Sequence, residues 1–179
     1  MHEETNVNQV YIALGSNIDP EIHLPAAIEQ LNRFGRVVAA STVYETLPVK
    51  FLDQANFLNA AVLLETDCGL TGVFEEIVPQ VERALHRVRD PQNPNGPRTI
   101  DLDVALFNDY IGDVNGHELP DPDIETRAFV GIPIAEIAPE VIHPVLGIRF
   151  SEIAKRFAVP EGDMRPRQDI ALLPASPAR

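Results

Sequence analysis

Between residues 9 and 107 the apolar side chains alternate between strand-like and helix-like spacing, and the order of those changes restricts the fold more than anything else in the chain. Residues 9–14 (QVYIAL) form a short β-prone run, closed by Gly15-Ser16-Asn17, which tolerate unusual backbone angles. Over 20–34, Ile22, Leu24, Ala27, Ile28 and Leu31 recur at helical spacing, with Pro20 near the start and Gly35 just past the end. Residues 36–44 and 56–65 read as strands joined by a long irregular loop, 45–55. A second helical period runs over 70–85 through Val73, Phe74, Ile77 and Val81, and Pro79 within it predicts a kink. Residues 90–97 (DPQNPNGP) must be a loop, and 99–107 a further strand. The order βαββαβ predicts an α+β fold, a ferredoxin-like core with an antiparallel sheet and C-terminal additions. Past Asn108 two short helices are expected, at 126–137 and 150–157. A chain of 179 residues suits one domain, set at 1–159, followed by a proline-rich C-terminal tail at 160–179, extended or mobile.

Charge narrows the partners. A formal net charge of −13 argues against nucleic acid and against an anionic membrane surface, both of which need a positive face. No segment approaches the run of about 18 apolar residues that a membrane span requires. Within this acidic chain Arg83, Arg87, Arg89 and Arg98 cluster, all arginine and none lysine. Such a cluster suits a small polyanion, because the guanidinium fork binds phosphate bidentately; the other reading is a solvated helix face paired with its own glutamates. Cys68 is the only cysteine, which excludes an intramolecular disulfide and a four-cysteine zinc site and matches a reducing compartment. The first eight residues are acidic and polar, unlike a secretory signal, so the cytoplasm is expected.

The chemistry concentrates in residues 96–103, Gly-Pro-Arg-Thr-Ile-Asp-Leu-Asp. On a strand Asp101 and Asp103 project to one side while Ile100, Leu102 and Val104 turn to the other. Two carboxylates so close either share a proton or bind a hard cation, and magnesium on nucleotide phosphates commonly uses only one or two of them. With Arg98 at the same rim and Arg87 and Arg89 arriving from the preceding helix, the parts suit phosphoryl-type transfer. A solvated strand edge is the other reading of the aspartate pair.

With these residues in place, the chain resembles the 6-hydroxymethyl-7,8-dihydropterin pyrophosphokinase family over residues 11–157. The resemblance rests on Tyr-Ile-Ala-Leu-Gly-Ser-Asn at 11–17, Tyr-Glu-Thr-Leu-Pro-Val at 44–49, and Phe-Leu-Asn-Ala-Ala-Val at 57–62. It continues through Glu82, Arg87-Val-Arg89, the 96–103 segment, Arg127-Ala-Phe129 and Glu-Ile-Ala-Pro-Glu at 136–140. It implies a magnesium-dependent transfer of diphosphate from ATP to the hydroxymethyl group of the pterin, releasing AMP, in folate biosynthesis. By resemblance Asp101 and Asp103 hold two magnesium ions, Arg87 and Arg98 hold the phosphates with a catalytic role, and Glu82, Arg89 and Arg127 complete the nucleotide side. Phe57 and Phe129 match stacking positions for the pterin, Asn59 its amide reader, and Gly15, Thr46 and Leu47 the pocket lining. Read without the resemblance, the two phenylalanines are as well explained as core. Asn59 lies in an apolar run, where a buried carboxamide needs a partner.

The chain also departs from that pattern. Relatives show Arg-Trp before Gly-Pro-Arg, whereas this chain has Pro94-Asn95, one extra loop residue and no tryptophan. Where relatives show Pro-His-Tyr it reads Pro120-Asp121-Pro122; nearby His117 is either a substitute or simply exposed. Two other readings are therefore carried: a non-catalytic or repurposed pterin- or nucleotide-binding relative, and a diphosphotransferase for another hydroxymethyl heterocycle. The acting unit is expected to be a monomer working on ATP and the pterin, with loops 45–55 and 90–97 gating the site.

Overall fold

In the computed structural model, which describes residues 7–173, strand β1 (Asn8–Ser16) is covered on both faces, and this is why its sequence is an almost unbroken apolar run. Val10, Ile12 and Leu14 face helices α1 (Pro20–Leu31) and α3 (Val78–Ala84), while Tyr11 and Ala13 face α5 (Ala128–Ile137) and α6 (Phe150–Ala154). β1 lies between β4 (Phe57–Thr66) and β5 (Asp101–Phe107). Beyond β4 come β2 (Arg36–Ala40) and β3 (Tyr44–Thr46), both paired to it, and β8 (Met164–Pro166) extends the sheet past β3. Every pairing is antiparallel, so β1 and β2 run parallel with β4 between them, the split βαβ of a ferredoxin-like fold.

The departures from the sequence reading have local causes. The strand expected over 36–44 is two strands, because Ser41 interrupts it: the Ser41 hydroxyl accepts the Ala61 N–H at 2.9 Å, taking a backbone group's place in the ladder. The second helical stretch is not simply kinked at Pro79. It starts as α2 (Leu70–Gly72) and widens into a π-helical turn (Val73–Ile77) just before α3, where the missing Pro79 N–H leaves the helical hydrogen-bond pattern free to shift. The helix expected over 126–137 is present as α5, and a separate turn, α4 (Asp123–Thr126), precedes it, the two parted by Arg127, whose extended backbone (φ −121, ψ 112) breaks the ladder. A hairpin of β6 (Gly112–Val114) and β7 (His117–Leu119) was not anticipated, although Asn115 (φ 54) and Gly116 (φ 83) form the positive-φ pair that a two-residue hairpin turn demands.

The stretch after Pro160 also differs from an extended or mobile tail. Met164–Pro166 pairs with β3, the Arg167 N–H donates to the Val43 carbonyl at 2.7 Å, and Leu172 is buried in the core against which Ile170 and Leu173 pack. The rest of that expected tail, 174–179, and the start of the chain, 1–6, lie outside the described residues. Leu172→Ala is expected to lower stability by about 2 kcal/mol, read from the urea midpoint at unchanged slope; a segment detached from the core would leave the midpoint where it is.

Candidate active site

Gly15 pairs with Asn59 of β4 on one side and with Asp101 of β5 on the other. These three residues stand in one row across the sheet, on the face that also carries Ala13, Ala61 and Ala105. Deeper along that face the row positions are apolar and lie under α5; toward its end they become Phe57 and Asn59 on β4, and Asp103 and Asp101 on β5. There a cavity of about 210 Å³ opens. All six residues expected to contact a heterocycle line it: Gly15, Thr46, Leu47, Phe57, Asn59 and Phe129. Arg98, Asp101, Asp103 and Arg127 line it as well.

Asn59 is only 6% exposed, and its Nδ2 donates to the Thr46 hydroxyl at 2.7 Å. That bond holds the amide with its oxygen toward β1. A Cβ built on Gly15 would stand 3.2 Å from the Asn59 Oδ1, so glycine there keeps space in front of the carboxamide. Phe57 and Phe129 are half-buried and border the cavity, each with part of its surface outside the core. The Arg98 guanidinium carbon lies 5.7 Å from the Phe57 ring centroid, a cation–π approach that joins the apolar and charged halves of the site.

Arg98 and Arg87 grip opposite oxygens of Asp101, at 2.7 and 2.9 Å. The Arg87 side chain is 5% exposed; it also donates to the Ile100 carbonyl, and its Nε is buried without a hydrogen-bond partner. Glu82, expected beside the nucleotide, is instead turned inward. It accepts from Arg89 at 2.8 Å and from the Leu102 N–H at 3.4 Å, and lies 3.9 Å from Arg87. Its place is therefore behind the arginines, fixing them to β5. Arg87, Arg89 and Arg98 line a second hollow of about 410 Å³ under the 90–97 loop, and Arg98 borders both. Arg127 lines the first cavity and lies 3.5 Å from Asp123.

Asp103 has no ion-pair partner among the described residues. Its surface is reached by solvent, but it stands within the protein mass beside other acids. Burial first, and then the charges of Asp101, Asp121, Glu82 and Asp123, push its carboxyl up to about 7. This is a negative site without a counter-ion, suited to a hard cation. Among the described residues no group of three or more His, Cys, Asp or Glu is placed to hold a metal. Two carboxylates are the donor set for magnesium shared with phosphate oxygens, not for an all-protein cage. Asp121, in the departing Pro-Asp-Pro segment, accepts the Asp123 N–H at 2.8 Å and so secures the start of α4. His117 is on β7 with its ring 5.4 Å from that of Phe74, away from the cavity.

Sequence reasoning missed the residues that tie the loops together. The Asn17 Oδ1 accepts the Arg98 N–H at 2.8 Å, while its Nδ2 donates to the Gln54 Oε1 at 2.9 Å and the Ala55 carbonyl at 3.1 Å. Gln54 in turn donates to the Asn95 carbonyl at 2.9 Å. Loops 45–55 and 90–97 are thus joined to each other and to the end of β1. Only the position of Asn17, two residues after Gly15, hinted at this.

Residues 11–139 match the family model described as 7,8-dihydro-6-hydroxymethylpterin-pyrophosphokinase (HPPK). The chain is 41% identical over 137 residues to the 2-amino-4-hydroxy-6-hydroxymethyldihydropteridine pyrophosphokinase of Bacillus subtilis, covering 75% of this chain and 80% of that one. It is 33% identical over 159 residues to the protein of the same name from Aquifex aeolicus, covering 88% and 94%. Its fold matches the crystal structure of wild-type Plasmodium falciparum HPPK-DHPS with a TM-score of 0.61 at 12% identity, over 84% of this chain and 44% of that one.

Asp103 carries a pH prediction. Its folded value lies above the unfolded value of about 4, so its ionisation penalises the folded state; the penalty is absent below about pH 4, grows as pH rises, and is complete above about 7. Asp103→Asn is expected to be more stable than the parent by about 1 kcal/mol at pH 8, a figure reduced for solvent screening, and equal to it at pH 4. Urea titrations at the two pH values measure this, and equal stability at pH 8 would mean that Asp103 ionises freely.

Proposed function

The chain belongs to the 7,8-dihydro-6-hydroxymethylpterin-pyrophosphokinase family, and on that premise we propose that it transfers diphosphate from ATP to the hydroxymethyl group of 6-hydroxymethyl-7,8-dihydropterin, releasing AMP, in folate biosynthesis. The observation that carries the assignment of residues is the meeting of two unlike hollows at Arg98, one aromatic and amide-lined, the other rich in arginine.

On the first side, Phe57 and Phe129 offer apolar surface to the faces of the pterin, and Leu47 closes the pocket beside them. Asn59, oriented by Thr46, presents its carboxamide to the hydrogen-bonding edge, and Gly15 leaves the room. On the second side, Arg87, Arg89 and Arg98 hold the triphosphate, and Arg127 reaches it from the wall of the first. Glu82 acts through Arg89 and Arg87, keeping their guanidinium groups turned to the site. The hydroxymethyl oxygen attacks the β-phosphorus and gives up its proton to solvent, while the bond from that phosphorus to the oxygen shared with the α-phosphorus breaks, leaving that oxygen on AMP. Asp101 and Asp103 would hold two magnesium ions, which when bound neutralise and align the phosphates. The donor set fits: Asp103 has no cation of its own, and Asp101 is pinned by the same arginines that reach for phosphate. The acting unit in this reading is a monomer, and its place is the cytoplasm.

Mixing the protein with ATP, magnesium and 6-hydroxymethyl-7,8-dihydropterin and resolving the nucleotides is expected to give AMP with a pterin diphosphate. ADP would place the attack at the terminal phosphorus, and no pterin-dependent product would favour a binding relative or another heterocycle. Asp101→Ala and Asp103→Ala are each expected to lower kcat at least about a hundredfold with the fold retained, checked by steady-state rates and circular dichroism. Phe129→Ala is expected to weaken pterin binding about tenfold while ATP binding changes less than about twofold; equal losses by calorimetry would mark Phe129 as a packing residue.

A further inference from the structure

β3 is three residues long, yet it delivers Thr46, and Leu47 directly after it, to the cavity. A strand so short is weakly fixed by one neighbour. Here it has two: β4 on one side and, on the other, β8 in the register Tyr44–Pro166, Glu45–Arg165 and Thr46–Met164. The side chains around this seam converge on Glu45. Its carboxylate accepts from the Asn56 Nδ2 at 2.9 Å and lies 3.4 Å from Arg165 and 3.5 Å from Arg167.

Glu45 and Asn56 flank the loop that supplies Leu47, Val49, Lys50 and Gln54 to the cavity, so their bond closes its base. Arg167 is itself held in place. Asp169 accepts from its Nε and Nη2 at 2.9 and 2.8 Å, and Glu21 of α1 stands 3.4 Å away. The guanidinium therefore joins the first helix, the base of the loop and the C-terminal segment. A hollow of about 270 Å³ is lined by Leu47 and Phe129 together with Val159 and Met164, so the packing between the pocket wall and the C-terminal segment is incomplete here. All of this C-terminal segment follows residue 139, where the family match ends.

We infer that residues 164–169 are a positioning element for the pterin side of the site, with Arg167, through Glu45, setting the base of loop 45–56. The inference rests on the assignment of the cavity to the pterin made above.

Arg167→Ala tests it. The KM for the dihydropterin is expected to rise about fivefold, with kcat and the KM for ATP within about twofold of the parent, and Arg167→Lys, which keeps the charge, is expected to recover most of the loss. Backbone amides of residues 44–47 are expected to exchange with deuterium faster in Arg167→Ala while those of β1 do not change. An unchanged pterin KM, or a parallel rise of both KM values with a lowered melting midpoint, overturns the inference. If the parent makes no pterin-dependent product, the functional reading fails by itself, and amide exchange over 44–47 still decides whether Arg167 positions β3 and the base of the loop: unchanged exchange overturns that, and faster exchange upholds it.

Discussion

Gly15 pairs with Asn59 on one flank and Asp101 on the other, and nearly everything the site can do follows from that register. It places an amide and a carboxylate in one row, with no side chain between them. A slip of one residue in β4 would turn Phe57 and Asn59 to the opposite face, and a slip in β5 would do the same to both aspartates. The rows behind oppose such a slip, because Val10, Ile12 and Leu14 fit one core and Tyr11 and Ala13 the other. A sheet packed on both faces thus fixes the position of a polar site at its end to within the reach of a hydrogen bond.

The electrostatics are local. A chain of net charge −13 is a poor host for a polyanion as a whole, but Arg87, Arg89 and Arg98 are gathered on one side of β5 and held there by buried Glu82 and half-buried Asp101. Glu82 and Asp101 restrict the arginines, so less rotamer freedom would remain to be lost on binding an anion. Asp103 is the opposite case, a carboxylate among carboxylates with no ion-pair partner among the described residues, and its neighbours and surroundings push its carboxyl upward.

Much of this was legible in the sequence because it depends on short-range alternation. The spacing of Asp101 and Asp103 gives their common face, the apolar run around Asn59 marks a buried amide, and the βαββαβ order gives the sheet. Other features depend on contacts that spacing does not encode. Glu82 could not be told from a nucleotide ligand, because its inward turn is decided by Arg89 and the β5 backbone. The segment after Pro160 lacks any period, yet three residues of it suffice to pair with β3, and Leu172 reaches the core. The β6–β7 hairpin was announced by Asn115-Gly116 and overlooked because its strands are too short to show alternation. Ser41 divides one expected strand with a hydroxyl, which no hydropathy pattern records.

The bridge through Asn17 and Gln54 makes the two loops thermodynamically one object. Loop 45–55 borders the aromatic hollow and loop 90–97 the arginine-rich one, and Gln54 holds backbone or side-chain groups of both. Whatever orders one loop removes part of the conformational entropy that the other would otherwise lose later. Ligands in the two hollows would therefore be energetically linked through this bridge, and by reciprocity each would change the other's affinity by the same factor in either order.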